Sequence, residues 1–161
     1  MARERTLVMI KPGGIERGLV GKILDRFEKR GLRIVALKFT QPTKEVMALH
    51  YAEHRDRPFF EGLVDYIVSG EVISFVLEGE HAITIARKII GVTDPKEAVP
   101  GTIRGDYGID LRRNVIEASD SEAAAEREIQ LHFPSYYRST EILENTHRVS
   151  VEEKKVKEAD F

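Results

Sequence analysis

The sequence predicts an α+β sandwich, in which helices pack on one face of a sheet. Short β-branched runs alternate with segments of helical periodicity along the chain, and the number of such runs is about four. A chain of 161 residues, of which 42% are hydrophobic, is long enough for one domain with a buried core and short for two. We therefore expect residues 1–161 to form a single domain, with a split βαβ arrangement as the leading interpretation.

The composition argues against several classes of protein. With 25 Lys and Arg against 27 Asp and Glu, the net charge of −2 gives no indication of binding to nucleic acid. The chain has no cysteine for disulfides, thiolate catalysis or metal binding, and its five histidines show no metal-ligand spacing. No apolar run approaches the roughly 18 residues of a membrane span. We expect a cytoplasmic protein without membrane or nucleic-acid partners.

The first part of the chain alternates strand and helix. Residues 6–10 are a β-type run, and the sequence KPGG at residues 11–14 ends it in a turn, because proline and glycine disfavour its continuation. From Leu19 to Arg30 apolar residues recur at helical spacing, and Gly31 occupies the position of a C-terminal cap. Residues 33–39 are apolar and β-branched, which predicts the second strand.

The middle of the chain repeats this alternation. Thr43 follows a proline and is a candidate N-cap for the next helix. Another helix is predicted from Phe60 and ends at Gly70, after which residues 72–77 form the third predicted strand. Helical spacing returns in residues 80–91, which end in a glycine.

The segment 91–113 is the least regular part of the sequence. It contains prolines and glycines with weak periodicity, and a loop of this length in a compact domain is usually functional. Residues 114–118 are the fourth predicted strand, after which Ser119 and Glu122 have the spacing of a capping box for the last predicted helix. The charged tail, residues 149–161, is expected to be frayed or docked on a neighbour.

Several side chains have the chemistry of phosphate sites, although each also has an ordinary structural explanation. Lys11 ends a strand, where an ammonium group can meet a phosphate, and it is equally a solvated lysine. Arg87 and Arg104 can offer forked donors to phosphate oxygens, although most arginines are surface residues. The Ser-Asp-Ser turn at residues 119–121 opens a helix whose N-terminus favours anions, or it is only a cap. One ring of the pair at residues 59–60 can stack on a base if it lies at the lip of a cleft.

Glu117 is a carboxylate that a short apolar run delivers to this turn. It has the chemistry of a general base, of a metal ligand, or of an exposed carboxylate at the end of a strand. Residue spacing alone leaves these three interpretations open.

Taken together, five ordered motifs resemble the nucleoside diphosphate kinase family over roughly residues 5–147. They are TLVMIKPGG, RGLVGKILDRFEKRG, HYAEHRDRPFF, PGTIRGDYG and RNVIEASDS. The resemblance implies a ferredoxin-like fold with a four-stranded antiparallel sheet, and a long loop, residues 91–113, that lines a nucleotide cleft. It also implies Mg²⁺-dependent transfer of the terminal phosphate from a nucleoside triphosphate to a diphosphate, through a phosphoenzyme in a ping-pong cycle.

The resemblance also implies roles for individual residues. Phe59 matches the aromatic residue that stacks on the base, and Ser119 and Glu128 match the pair that orients the catalytic histidine. The residues that match the phosphate- and ribose-handling set are Lys11, Tyr51, Arg87, Thr93, Arg104 and Asn114. The resemblance further implies that Mg²⁺ binds through the nucleotide phosphates, with no direct ligand from the protein.

The family motif has its nucleophilic histidine three residues after Asn114, where this sequence has Glu117. A carboxylate is a weaker nucleophile than imidazole and its charge repels a terminal phosphate, so we expect strongly impaired turnover. Two further departures are Gly13, where the family usually has aspartate, and Arg112, where it often has glycine. Neither removes a group that transfers phosphate.

The residue at position 117 leaves three functional hypotheses. The first is a nucleoside diphosphate kinase scaffold with an intact nucleotide site and very low turnover. The second is a non-catalytic nucleotide-binding or assembly protein on the same fold, and the third is a kinase in which Glu117 itself accepts phosphate as an acyl phosphate. The resemblance implies nucleoside di- and triphosphates as ligands and a homohexamer as the assembly. We expect subunit contacts to bury apolar residues of segment 91–113, namely Val92, Val99, Ile103 and Tyr107.

Overall fold

The computed structural model describes residues 3–159, with side-chain positions for residues 3–152 and 155. Its centre is a four-stranded antiparallel sheet in the order β2-β3-β1-β4. The strands are β1 (Glu4–Ile10), β2 (Arg33–Thr40), β3 (Val72–Gly79) and β4 (Ile116–Ala118). This confirms the predicted α+β fold with a ferredoxin-like antiparallel sheet.

Helices lie between and after these strands. The α-helices are α1 (Pro12–Glu16), α2 (Val20–Lys29), α3 (Lys44–His50), α4 (Phe60–Ile67), α5 (Ala82–Ile90), α6 (Ile103–Tyr107), α7 (Glu122–His132) and α8 (Pro134–Ala159), and a 3-10 helix covers Ala52–His54. Gly31 and Gly91 follow α2 and α5 with φ angles of 95° and 91°, a left-handed conformation that glycine adopts without strain. The predicted ends of these two helices are confirmed.

The helices cover both faces of the sheet, so the expectation of helices on one face is wrong. Val8 and Ile10 of β1 pack in a cluster with α2 and α5, whereas Leu7 and Met9 point to the other face, towards α3, α4 and α7. The reason is visible in β1 itself, where a continuous apolar run rather than an alternating one requires cover on both sides. One of these faces carries the site described below.

Element ends near the site differ from the sequence prediction in three places. A helix, α1, begins at Pro12 where a turn was expected, because proline at the first helical position needs no N–H partner. Ser121 rather than Ser119 caps α7, its hydroxyl accepting from an N–H of the first turn. The last strand is shorter than residues 114–118, because Val115 has a left-handed φ of 74°.

Segment 91–113 is irregular except for α6. Ile103 is fully buried in the core of its own domain, and Tyr107 packs against that core. The expectation that these two residues need a second subunit is therefore wrong. Val92 and Val99, in contrast, are exposed.

The C-terminal part of the chain is more regular than expected. The 26-residue helix α8 follows α7 and includes residues 149–159 of the tail, so the expectation of a frayed end is wrong there, whereas docking on a neighbour stays a prediction. Residues 160–161 lie outside the described residues. Apolar side chains of α8 such as Ile142 and Val149 are exposed. Within residues 3–159, no helix has both the length and the apolar character that crossing a membrane requires.

Candidate active site

A cleft of about 670 Å³ opens beside the end of β1, between α4 and segment 91–113. The residues that line it are Lys11, Tyr51, His54, Phe59, Leu63, Thr93, Arg104, Leu111, Arg112, Asn114 and Glu117. Most of the predicted site residues are therefore in one cavity. Of the others, Arg87 lies beside it, and Ser119 and Glu128 lie below its floor.

Residues between Thr93 and Val115 hold Lys11 at the floor of the cleft. Its backbone N–H donates to Val115 O at 2.8 Å, and its Nζ donates to Asn114 Oδ1 at 2.7 Å. Asn114 Nδ2 donates in turn to Thr93 O at 3.2 Å, so three separate segments meet here. Lys11 is only 4% exposed, and burial lowers the pKa of its ammonium group, with the Arg104 charge acting in the same direction.

Arg104 adds a second buried cation. Its Nη1 donates to Gly91 O at 3.1 Å and its Nη2 to Ile116 O at 2.8 Å, while its Nε has no partner within the described residues. Burial lowers the pKa of Arg104 to about 10, and the neighbouring Arg87 charge adds to this. Arg87 itself is exposed and donates from Nη1 to Ala118 O at 3.2 Å. Three cations, Lys11, Arg104 and Arg87, thus lie near one another with fewer anions to balance them.

Phe59 forms the opposite, apolar end of the cleft. It occupies the N-cap position of α4 and is 49% exposed, whereas Phe60 packs into the cluster around Met9 and Met47. The ring of His54 lies 5.4 Å from that of Phe59 in a tilted arrangement. The expectation that one ring packs against the core while the other stays at the lip of a cleft is confirmed, although Phe60 is only partly buried.

Glu117 reaches the cleft because of its register in the sheet. It pairs with Met9 of β1, and cross-strand partners point to the same face, which is the face that carries α3. There the Tyr51 hydroxyl lies 2.8 Å from Oε1 and 2.7 Å from Oε2, and His50 Nε2 lies 3.2 Å from Oε1. The side chain keeps an exposed fraction of 18%.

The environment of Glu117 keeps it ionised. Burial on its own raises the pKa of this carboxyl, but the hydrogen bond and charge of His50 lower it further than burial raises it. Together with the Lys11 charge and the Tyr51 hydroxyl, they bring the pKa to about 2. Glu117 is therefore an ionised carboxylate that accepts from Tyr51 and His50, and it lies between the cations of the cleft and the buried side chains described next.

Beneath Glu117 lies a buried polar layer, which we define as His50, Ser119, Glu128 and His132. Ser119 Oγ donates to Glu128 Oε2 at 2.6 Å, and Glu128 Oε1 is 3.3 Å from His50 Nε2. His50 Nδ1 and His132 Nε2 are 2.9 Å apart. Four side chains from α3, α7 and the turn before α7 thus form one connected chain of polar contacts.

The protonation states within this layer follow from its charges. Burial opposes protonation of His50, but Glu117 and Glu128 raise its pKa above the usual value, because each carboxylate favours the imidazolium. Burial lowers the pKa of His132 to about 3, and the charges of His50 and Lys38 add to this. His50 therefore donates from Nδ1, and a neutral His132 accepts. The imidazolium of His50 compensates the charge of two nearby carboxylates.

The two departures near the cleft also have structural explanations. A Cβ at Gly13 would lie 3.0 Å from the Tyr66 hydroxyl oxygen, so a larger side chain there requires Tyr66 to move. Arg112 is exposed, and one of its Nη atoms would lie 2.9 Å from a Cβ at Gly62, so the absence of a side chain at Gly62 gives the guanidinium its room.

Some residues of the site were not identified from the sequence. His50 has a usable signal, because it follows Met47 by three residues on α3 and so shares its buried face. His132 has none, since its partner His50 is 82 residues away in the chain. The remaining residues of this group line the cleft, and they are His54, Leu63 and Leu111. Within the described part of the chain, no three side chains of His, Asp or Glu are arranged to hold a metal ion.

Comparisons with known proteins agree with one another. The model of the family "Nucleoside diphosphate kinase" matches residues 4–137. The chain is 56% identical over 130 residues to a nucleoside diphosphate kinase of Archaeoglobus fulgidus, covering 81% of this chain and 86% of the relative. To the corresponding protein of Pyrococcus furiosus it is 54% identical over 133 residues, covering 81% and 83%.

Solved structures that are similar to this chain belong to the same family. The structure of a halophilic nucleoside diphosphate kinase from Halobacterium salinarum in complex with CDP has a TM-score of 0.80 and 51% identity, covering 82% of this chain and 88% of that one. The apo enzyme of Encephalitozoon cuniculi has a TM-score of 0.80 and 45% identity, covering 81% and 88%. The chain described here belongs to the nucleoside diphosphate kinase family.

Proposed function

We propose that this chain is a phosphotransferase of the nucleoside diphosphate kinase type that binds nucleoside di- and triphosphates and turns over very slowly. The observation that carries the proposal is the pairing of two buried cations, Lys11 and Arg104, with an exposed ring, Phe59, in one cleft. Buried cations without matching anions are costly, and a polyphosphate would supply the missing charge. The ring would supply a stacking surface for the base.

Glu117 is proposed to occupy the position of the family's nucleophilic histidine. Its carboxylate has a pKa of about 2 and accepts from Tyr51 and His50, so both oxygens are engaged and negatively charged. A nucleophile in that state is poor, and it repels a terminal phosphate by about 1 kcal/mol per charge pair at 4 Å in water, and by more in a desolvated cleft. Diphosphates are therefore favoured over triphosphates.

Mg²⁺ belongs to this proposal as a partner of the nucleotide. The cations Lys11 and Arg104 do not coordinate metal ions, and the oxygens of the one carboxylate in the cleft lining, Glu117, are already engaged by Tyr51 and His50, so the oxygen ligands would come from the phosphates. When bound there, the ion neutralises phosphate charge and polarises the phosphoryl group. Residues Tyr51, Ser119 and Glu128 are proposed as positioning residues, and Thr93 and Asn114 as ligands of the phosphate and ribose.

The proposal is tested by the variant Glu117→His. Because the surrounding groups are present, the histidine should restore transfer from ATP to a second diphosphate, with a gain in turnover on the order of a million-fold. Given ATP alone, this variant should form a phosphoenzyme that is stable to base and labile to acid, as a phosphorylated imidazole is. Steady-state transfer and ADP binding by calorimetry are measured in parallel, with ATP binding for comparison.

The matched control is Glu117→Gln, which removes the charge but supplies no better nucleophile. It should bind ATP more tightly than the unmodified chain does and remain inactive. If Glu117→His binds ADP and stays inactive, Gly13 or Arg112 has altered the site as well, and the account of a kinase that lacks only its nucleophile is wrong.

A second function is favoured by one observation, the double engagement of Glu117 by Tyr51 and His50. Such a carboxylate is suited to a non-catalytic nucleotide-binding or assembly protein, which would bind ADP without any phosphotransfer. The third hypothesis, an acyl phosphate on Glu117, predicts a phosphoenzyme of the unmodified chain that base and hydroxylamine cleave. Trapping with the unmodified chain identifies the third hypothesis, and phosphate transfer by Glu117→His separates the first from the second.

The proposal includes a homohexamer in the cytoplasm, formed from chains in which residues 1–161 are one domain. Two sets of exposed apolar side chains support self-association. Val92 and Val99 lie in segment 91–113, and Leu37 and Phe39 lie on β2, an edge strand of the sheet. Edge strands with exposed apolar residues are usually covered by a partner.

A further inference from the structure

Arg112 differs from the other charged residues of the cleft because its guanidinium is not paired within the described residues. Its backbone N–H donates to Asp110 Oδ1, but its guanidinium forms no ion pair or hydrogen bond with any side chain that the structure describes, or with the backbone of residues 3–159. The next residue, Arg113, is by contrast tied to Asp110 through both Nε and Nη2. Arg112 is exposed and lines the cleft, so its forked donors are available to a ligand.

The guanidinium of Arg112 occupies the space beside Gly62 on α4. One Nη atom of Arg112 lies against Gly62, which follows Phe59 by three residues along α4. Residues three apart on a helix are neighbours on its surface. Arg112 and Phe59 also both line the cleft, so a base stacked on the ring would present an edge to the guanidinium. The cations suited to phosphate, Lys11 and Arg104, are buried deeper in the cleft.

We propose that Arg112 recognises the base, and that the chain prefers nucleotides whose base presents a keto oxygen at this edge, guanine above all. The proposal rests on the proposed function, because it requires a nucleotide in the cleft. Guanine offers O6 and N7, two adjacent acceptors that match the fork of a guanidinium. Adenine offers N7 beside an amino group, which is a donor and cannot accept from arginine.

The same chemistry predicts a smaller effect for pyrimidines. Uracil presents one acceptor, O4, where cytosine presents an amino donor. A single hydrogen bond to an exposed guanidinium discriminates less than a bidentate pair. The preference for guanine over adenine should therefore be larger than the preference for uracil over cytosine.

The test is calorimetric titration of the full chain with GDP, IDP and ADP in the presence of Mg²⁺. We expect GDP and IDP to bind about five- to twentyfold more tightly than ADP, the lower part of the range for a bidentate base contact because this one is exposed. IDP shares O6 and N7 with GDP but lacks its 2-amino group, so equal affinity of the two assigns the contact to the keto edge. UDP and CDP form the second pair.

Three variants locate the effect. Arg112→Gly should abolish the preference by weakening GDP binding much more than ADP binding, and Arg112→Lys should lose most of it, because lysine keeps the charge but not the fork. Gly62→Ala should reduce it by displacing the guanidinium without removing it. Lys96→Ala, which removes a charge from the same segment outside the cleft, should leave the preference intact.

The outcomes separate this proposal from the proposed function. If GDP and ADP bind equally, or if Arg112→Gly keeps the preference, Arg112 does not recognise the base. If Arg112→Gly weakens GDP and ADP by the same factor, it acts as a general charge on the phosphates and the proposal is overturned. If no nucleotide binds the unmodified chain, the nucleotide site itself is wrong and both proposals fail together.

Discussion

The two sides of Glu117 differ in how completely their polar groups are paired. On the cleft side, Arg104 Nε has no partner within the described residues, and Lys11 Nζ makes one hydrogen bond although an ammonium group has three donors. On the other side, the buried polar layer has no unpaired buried side-chain atom among those described. The cleft side thus keeps donors that are free for the proposed nucleotide, whereas the groups of the polar layer are paired with one another.

This difference indicates whether each side determines ligand affinity or the free energy of unfolding. Changes on the cleft side should alter ligand affinity and leave the free energy of unfolding nearly unchanged. Changes in the polar layer should do the opposite, because its interactions are all made within the folded chain. Glu117 takes part in both sides, which is why its replacement, described above, should have the largest functional consequence.

The strongest test of the polar layer is His50→Ala. It leaves Glu117 and Glu128 buried without their compensating cation, and breaking one partner of a buried ion pair costs about 3–5 kcal/mol. We expect the free energy of unfolding in urea to fall by about that amount. Because the folded pKa of His50 is raised, this contribution is fully present below pH 6.5 and is lost as the pH rises through the folded pKa.

The control for this variant is His54→Ala, which removes a partly exposed cleft histidine and should change the free energy of unfolding by less than about 0.5 kcal/mol. Equal effects of the two variants, or a loss in His50→Ala that grows as the pH rises above 7, would contradict the assignment of His50 as an imidazolium.

On the cleft side, Lys11→Met should weaken ADP binding by about 30-fold, which corresponds to about 2 kcal/mol for a hydrogen bond to a charged group. The free energy of unfolding should change by less than about 1 kcal/mol, because removing a desolvated charge offsets the loss of its bond to Asn114. Calorimetry and urea unfolding measure the two quantities, with the exposed Lys22→Met as the control. A large loss of stability with unchanged ADP affinity would reverse the comparison.

The smallest expected effect is a pH dependence that His132→Gln removes. The pKa of His132 is about 3 in the folded chain and about 6.5 when unfolded, so below pH 6.5 the unfolded state binds a proton that the folded state does not. Acid therefore destabilises the unmodified chain, by about 1.3 kcal/mol between pH 7.5 and pH 5.5 for this group. Glutamine keeps an acceptor for His50 but does not titrate.

The measurement is the difference in the free energy of unfolding between His132→Gln and the unmodified chain at these two pH values. It should move in favour of the variant as the pH falls, since the other titrating groups are common to both. An unchanged difference would mean that His132 is protonated in the folded chain.

Local signals in the sequence predicted the fold well where one residue type decides the conformation. Gly31 and Gly91 end their helices because only glycine accepts the left-handed φ without strain, and both ends were predictable. The cap of α7 was misassigned because Ser119 and Ser121 are both suitable by type. What decides between them is tertiary, since Ser119 is held by Glu128 and by the backbone of Leu7.

The site was predictable in part for the same reason. The residues that line the cleft belong to recognisable motifs, but the polar layer depends on contacts between distant parts of the chain, of which His50 and His132 are the clearest. The orientation of Arg112 was equally hidden, because it depends on the missing side chain of Gly62. Spacing in the sequence gives no information about such pairs.

The order of the strands has a consequence for how the chain acquires its site during synthesis. The first strand to leave the ribosome, β1, lies in the interior of the sheet, and one of its two neighbours is the last strand, β4. Lys11 meets Asn114 across 103 residues, and Tyr51 meets Glu117 across 66. Contacts of such separation form late and slowly, because the chain between them must be closed first. A nascent chain that has not yet emerged beyond β4 lacks the contacts of Asn114 and Glu117, so the proposed nucleotide site would form only after synthesis of the sheet is finished.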